Sequence, residues 1–330
     1  MLRDPFLSFV VRAAGLGAFA LLLGVLILGL LPPQVGNKLT RNMRVPMVDL
    51  GYTRTRLAEA DSSTAVDVLF LGSSLCYRGF DTRIWQAHGL SAFNIGSHAQ
   101  TPLQSEMLLT RYLHRFDPKL VVLTADPAIV ANQGIEASLD MLAHGDVDHA
   151  AFIMTLRTGQ LKTWITFLHC FLRTRALGGK GRAVEHPYGM DTYIPGGFVV
   201  RDTQDPQHEE LVAAAVGSRH EHEHATHADP ATRRKQIAAI ERMAEQLRRN
   251  KVPFVILEPP VTASYRATYE DHAEFQRRMA EIAVFMDFSR LATLDDTLHF
   301  YDEAHLEQRG VELFNAAVID RLRAEGQLLR

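Results

Sequence analysis

Apolar positions along this chain fall into two periods. Residues 67–71, 92–95, 120–124, 252–257 and 284–288 are short, nearly continuous apolar runs, rich in valine, isoleucine, leucine and phenylalanine. Runs of that length and composition predict strands buried on both faces, as in a parallel sheet. Between and after them, apolar residues recur three and four positions apart over 101–114, 229–250, 271–283 and from beyond His305 to 324, which predicts helices. Thr101-Pro102 and Asp229-Pro230 each supply a cap and a first-turn proline. Residues 75–90 read either as a helix or as an irregular loop. Strand–helix–strand spacing of this kind predicts parallel βαβ units, hence a three-layer α/β/α domain around a parallel sheet of about five strands.

One stretch fits neither period. Residues 13–31 are uncharged and almost wholly apolar. Nineteen residues at the helical rise give roughly 28 Å, close to the hydrocarbon thickness of a bilayer. A helix apolar on every side has little to pack against at the edge of a soluble domain. The run exceeds a usual signal-peptide core, and Leu30-Leu31-Pro32-Pro33 is no small-x-small cleavage site, so a retained signal anchor is expected. Arg3 and Arg12 precede the span while Lys38, Arg41 and Arg44 follow it, so positive charge alone does not orient it. The expected order is 1–12 in the cytoplasm, 13–31 in the membrane, 32–65 as a connector, and 66–330 as one α/β domain.

The rhythm breaks over 127–228, which is expected to be an inserted, lid-like region between the third and fourth strands. Within it, 161–175 mixes Trp164, Phe167, Leu168 and Phe171 with basic residues at helical spacing. Such a helix either covers the core or a cleft, or lies on a membrane surface. His220, His222, His224 and His227 stand close together, but alternating histidines share a face only on extended backbone, and no metal site is assigned to them.

Composition narrows the partners. A net charge of −3 with no basic stripe leaves no footprint for nucleic acid. Two cysteines, Cys76 and Cys170, cannot build a disulfide framework or a four-cysteine zinc site; they either pair with each other or remain buried thiols.

Chemistry-bearing residues collect at strand ends. The run Val68 to Leu71 stops at Gly72-Ser73-Ser74, and in open α/β sheets the chemistry lies at the carboxyl ends of the strands. Far downstream, Asp302 and His305 stand three residues apart beside a helix start. Ser74 as nucleophile, His305 as base and Asp302 as the group that orients it form one known chain order for acyl chemistry. The other reading of the pair is a capping aspartate with a histidine in the first turn. Arg78, one turn after Ser74, is either a candidate for binding an anionic group or a solvated arginine, and Glu258, before Pro259-Pro260, is a candidate for lining the cleft.

Gly72-Ser73-Ser74 resembles the first sequence block of the SGNH (GDSL-like) hydrolases, with Ser73 where that family has aspartate, and Asp302-x-x-His305 resembles its last block. The resemblance covers about 66–130 and 250–325. It implies a catalytic Ser74, Asp302 and His305 and no cofactor. It also implies oxyanion donors from main-chain N–H groups, Ser74 itself and Ala99, the latter at the glycine position of the second block Asn94 to Ala99. The third block normally ends in an asparagine; here that position falls near Ala128, leaving Asn132 or His98 as candidate side-chain donors, with His98 also a candidate for substrate binding. Together with the N-terminal span, the chain resembles membrane-anchored SGNH-like proteins of bacterial polysaccharide O-acylation. That resemblance implies an acyl donor and a glycan acceptor or acylated glycan as substrates. It further implies a multi-spanning membrane O-acyltransferase as partner and a single-pass place in the inner membrane with the domain in the periplasm. The reading from a different class is a non-catalytic glycan-binding or assembly subunit that keeps the SGNH frame.

Overall fold

The structure is a computed structural model and describes residues 5–30, 51–175, 191–201 and 229–328. In chain order its elements begin with α1 (Pro5–Leu30), α2 (Thr53–Ser62), β1 (Val68–Leu71), α3 (Ser74–Tyr77), α4 (Thr82–Ala87), β2 (Ala92–Asn94), α5 (Pro102–Phe116) and β3 (Leu120–Thr124). There follow α6 (Pro127–Ala131), α7 (Ile135–His144), α8 (His149–Thr158), α9 (Leu161–Arg175), β4 (Asp191–Ile194) and β5 (Phe198–Arg201). The last are α10 (Pro230–Arg249), β6 (Phe254–Glu258), α11 (Ala263–Ala267), α12 (His272–Ile282), β7 (Val284–Asp287) and α13 (Gln308–Ala324).

Five strands form one parallel sheet in the order β2-β1-β3-β6-β7. Numbering the sheet strands alone, this is the doubly wound order 2-1-3-4-5. Strand geometry sends alternate residues to opposite faces. Leu69, Leu71, Val121, Leu123 and Ile256 pack under α5, α7, α8 and α10. Phe70, Val122, Val255 and Leu257 pack under α4 and α13. Both faces being covered explains why these strands read as unbroken apolar runs. Thr101 and Gln104 form a capping box at the start of α5, and Asp229 accepts from the Ala231 and Thr232 N–H groups at the start of α10.

Several expectations change in detail. The apolar helix begins at Pro5 rather than near residue 13 and carries Arg12 within it, because Phe6 to Val11 are apolar apart from Ser8 and proline suits a first turn. Residues 75–90 hold two short helices, α3 and α4, broken at Gly79. The connector contains α2, which packs on α7. In the described part of 127–228, the helices α6 to α9 and the β4–β5 hairpin belong to the body of the domain rather than to a lid. Met141 of α7, Met154 of α8 and Phe167 of α9 lie in the core, and Phe198 of β5 is buried on the opposite face of the sheet. The hairpin is held at the β2 edge, where Asn94 N donates to Gly196 O at 2.7 Å and Thr82 Oγ1 donates to Pro195 O at 3.2 Å. The histidines at 220, 222, 224 and 227 lie outside the described residues. No disulfide joins Cys76 and Cys170; Cys76 is a buried thiol as expected, whereas Cys170 is only partly buried.

Candidate active site

Gly72 makes the turn that aims Ser74. Its φ of +148° favours glycine, and a Cβ there would stand 1.8 Å from Thr124 Oγ1, so only glycine lets β1 and β3 approach at this point. The chain then enters α3 with Ser73 as its cap, the hydroxyl accepting from Leu75 N at 3.4 Å. Ser74 is the first residue of α3, so its main-chain N–H has no partner within the helix. Asn94, at the end of β2, fixes α3 from the side: its amide donates to Cys76 O at 2.8 Å and its oxygen accepts from Gly96 N at 3.1 Å and Cys76 Sγ at 3.3 Å. Burial pushes the Cys76 thiol up to about 12, so it stays neutral and packs. This role of Asn94 and Cys76 was missed in the sequence, where a polar residue ending a buried strand was the only sign of it.

The second half of the site comes from the loop before α13. Phe300 and Leu306 pair in an isolated antiparallel bridge, and Tyr301 N donates to His305 O at 3.1 Å, closing the loop on itself. Thr262 donates to Glu303 O through both its N–H and its hydroxyl, at 3.1 and 2.7 Å. Inside the loop, Asp302 Oδ1 accepts from Ala304 N and His305 N, each at 2.8 Å. The same carboxylate holds His305 Nδ1, at 2.8 Å to Oδ2 and 3.0 Å to Oδ1. His305 Nε2 lies 2.8 Å from Ser74 Oγ. A proton on Nδ1 facing the carboxylate leaves Nε2 with its lone pair toward the serine hydroxyl, the tautomer a base requires. Burial raises the Asp302 pKa, but the His305 charge, its hydrogen bond and the two main-chain donors outweigh this and hold the carboxyl well below the usual carboxylate range. The Tyr301 ring stacks on the imidazole at 5.6 Å and 9° between planes, and the Arg201 guanidinium lies 4.9 Å from the other ring's centroid, that of Tyr301. The structure therefore brings Ser74, His305 and Asp302 into one hydrogen-bonded chain.

The remaining candidates separate. Arg78 is 9% exposed and forms a two-pronged pair with Asp191 of β4, at 3.0 and 2.6 Å. It borders a small recess beside His305, together with Leu75, Pro259, Pro260 and Phe314, but its charge is already matched by the hairpin. Ala99 sits in the turn after β2 with φ +48°, next to the partly exposed His98. Asn132 caps the end of α6; its oxygen accepts from Gly134 N at 2.7 Å and its carbonyl from Gln236 at 2.9 Å, so the amide oxygen serves the α6–α7 turn. After β3, Asp126 rather than an amide closes the turn, accepting from Ile129 N at 3.0 Å, and burial pushes its pKa up to about 6 against the Ile129 and Ala128 N–H groups.

Glu258 requires a correction: it is wholly buried and does not line the cleft. As the last residue of β6, its side chain turns inward to His272 Nε2 at 2.6 Å and Gln276 Nε2 at 2.9 Å, while Pro259 and Pro260 take the place beside His305. Burial, with Asp287 and Asp126 nearby and opposed by Gln276 and Arg266, raises its pKa from 4.5 to about 8. Below about pH 4.5 the carboxyl is protonated folded and unfolded, and folding carries no penalty. Between 4.5 and 8 the unfolded chain releases the proton while the folded chain keeps it, so stability falls; above 8 the fall ceases. Glu258→Gln is expected to flatten this fall, worth on the order of a few kcal/mol, and to make the mutant the more stable protein at pH 9. Parallel urea titrations at pH 5, 7 and 9 check it; identical pH slopes for the two proteins contradict it.

A doubly wound parallel sheet, with a serine after its first strand and an Asp-x-x-His loop before its last helix, is the arrangement that the SGNH resemblance implies. No protein-family profile matches the chain, and no curated protein does. Among solved structures, it is similar to a protein named as a GDSL-like lipase from Bacteroides thetaiotaomicron VPI-5482, at 11% identity and a TM-score of 0.39 over 83% of this chain and 98% of that one. It is likewise similar to a protein named as an acylhydrolase from Bacteroides fragilis NCTC 9343, at 10% identity and a TM-score of 0.40 over 83% of this chain and 96% of that one. At this distance no residue role is carried from either protein to this chain.

Proposed function

We propose that this protein cleaves or transfers an acyl ester through Ser74. The observation that carries the reading is the continuous chain from Ser74 Oγ through His305 to Asp302, each link 2.8 Å at its shortest. In the proposed course His305 Nε2 takes the Ser74 proton as Oγ attacks the ester carbonyl. The oxyanion is met by the main-chain N–H groups of Ser74 and Ala99. Collapse expels the alcohol, which takes the proton from His305, and leaves an acyl-serine. Water or a second hydroxyl then attacks the acyl carbon with His305 again as base, and His305 returns that proton to Ser74 Oγ as the acyl–serine bond breaks, giving hydrolysis or transfer respectively. No step needs a cofactor.

The finer reading is O-acetyl chemistry on a cell-envelope glycan, from a periplasmic domain held by one helix in the inner membrane beside a multi-spanning O-acyltransferase. It is supported by the motif resemblance and by α1, a helix near the N-terminus long and apolar enough to cross a membrane. One observation favours the second reading, a glycan-binding or assembly subunit without turnover: the turn after β3 has Ala128, with no side-chain donor, near the position where an amide donor is expected, and one missing oxyanion donor costs about a hundredfold to a thousandfold in rate. A fluorophosphonate probe separates the two. The purified protein is expected to label at Ser74, and Ser74→Ala to remain unlabelled; a folded wild-type protein that never labels supports the subunit.

A further inference from the structure

Beyond α1, six large hydrophobic residues are exposed among the described residues, and four of them lie on two adjoining helices: Phe152 and Leu156 on α8, Leu161 and Phe171 on α9. Phe152 and Leu156 are one helical turn apart, and Leu161, Trp164, Leu168 and Phe171 follow each other at spacings of three and four, so each set shares a face. Aromatic contacts join the two helices: Phe152 lies 5.8 Å from both Trp164 and Phe167, and Phe167 stacks on Phe171 at 6.1 Å. Leu156, at 54% exposed, gains nothing from this packing in water.

The occupant follows from what stands next to the patch. α1 lies against α9, and its candidate span, Pro5–Gly24, is 0% buried. The exposed apolar surface of α8 and α9 is thus continuous with the helix that is fit to enter a bilayer. Arg157 and Lys162 on these helices are paired with Glu106 and Glu136, so the face they border is apolar rather than cationic. Tryptophan among aromatic residues is the composition of the membrane–water boundary.

We propose that the α8–α9 face is a lipid-docking surface, seated in the headgroup boundary of the bilayer that α1 enters, and that it holds the domain flat against the membrane. The inference rests on α1 as a membrane helix and is independent of the acyl chemistry.

The two tryptophans make it testable in the full chain. Trp85 is 0% exposed, in the core on the opposite face of the sheet from the core that Trp164 joins. The protein is reconstituted into phosphatidylethanolamine–phosphatidylglycerol vesicles whose acyl chains carry bromine close to the headgroup. Emission is expected to fall by up to about half relative to unbrominated vesicles, the share of one tryptophan of two at the boundary. Trp164→Phe abolishes the fall, Leu156→Glu with Phe171→Glu reduces it at least about twofold, and Leu298→Glu leaves it unchanged. Emission indifferent to bromine in protein that floats with the vesicles overturns the proposal. So does quenching untouched by the paired glutamates, or cross-linking of the face to a second copy or to another membrane protein.

Discussion

Ser74→Ala lowers ester cleavage or transfer at least about a thousandfold, His305→Ala does the same, and the double substitution falls no more than about threefold below either alone. The non-additivity follows from the geometry. His305 Nε2 acts on Ser74 Oγ, 2.8 Å away, and once the nucleophile is gone the base has no proton to take. What survives is binding and the main-chain donors, which neither substitution touches. Asp302→Ala costs less than either, since the imidazole can still accept a proton when poorly oriented. It costs something nonetheless, because Asp302 also gathers the Ala304 and His305 N–H groups and so shapes the loop. All three side chains sit at a strand-end surface, so melting temperatures should stay close to the parent. Turnover of p-nitrophenyl acetate, measured beside circular dichroism, checks the set. Near-parental turnover in folded Ser74→Ala protein would remove Ser74 from the mechanism.

Asp191→Ala destabilises the domain by about 3–5 kcal/mol, although Asp191 lies 113 residues from its partner. Both side chains of the Arg78–Asp191 pair are nearly inaccessible, at 10% and 8%. Removing the carboxylate strands a guanidinium that water reaches poorly, and arginine does not escape by losing its proton. Replacing both partners, as in Arg78→Met with Asp191→Leu, removes the stranded charge and should recover most of the loss. Urea midpoints of the parent, the single and the double variant measure this. A single variant as stable as the parent would mean that the hairpin leaves the body without cost.

The sheet was legible because both its faces are covered. Val68 to Leu71 and Leu120 to Thr124 are fully buried, and a strand with no solvent face shows as an unbroken apolar run. The juxtaposition of Ser74, His305 and Asp302 was legible because each lies in a short local motif beside a strand end or a helix start. The hairpin was not, since β4 is only partly buried and its hold on the body depends on Arg78, Asn94 and Thr82 from distant parts of the chain. The inward turn of Glu258 was equally hidden: an acidic residue before two prolines reads as cleft lining, and only the placement of His272 and Gln276 shows where its carboxyl goes. Helix α2 shows only a short apolar face, with Leu57 and Ala60 in the core, and is held as well by the buried Arg56, which donates to Gly51 O at 2.7 Å and Gly197 O at 3.1 Å.

Ser74 and His305 meet across 231 residues of chain. At about 5–20 residues per second of synthesis, roughly ten to fifty seconds separate the synthesis of Ser74 from that of His305. Until the loop before α13 has folded back onto the first strand, a nascent chain holds an unactivated serine and nothing more. On the proposed function, reactivity toward esters is thereby withheld during biogenesis and arrives last, after the apolar helix α1 has long been made.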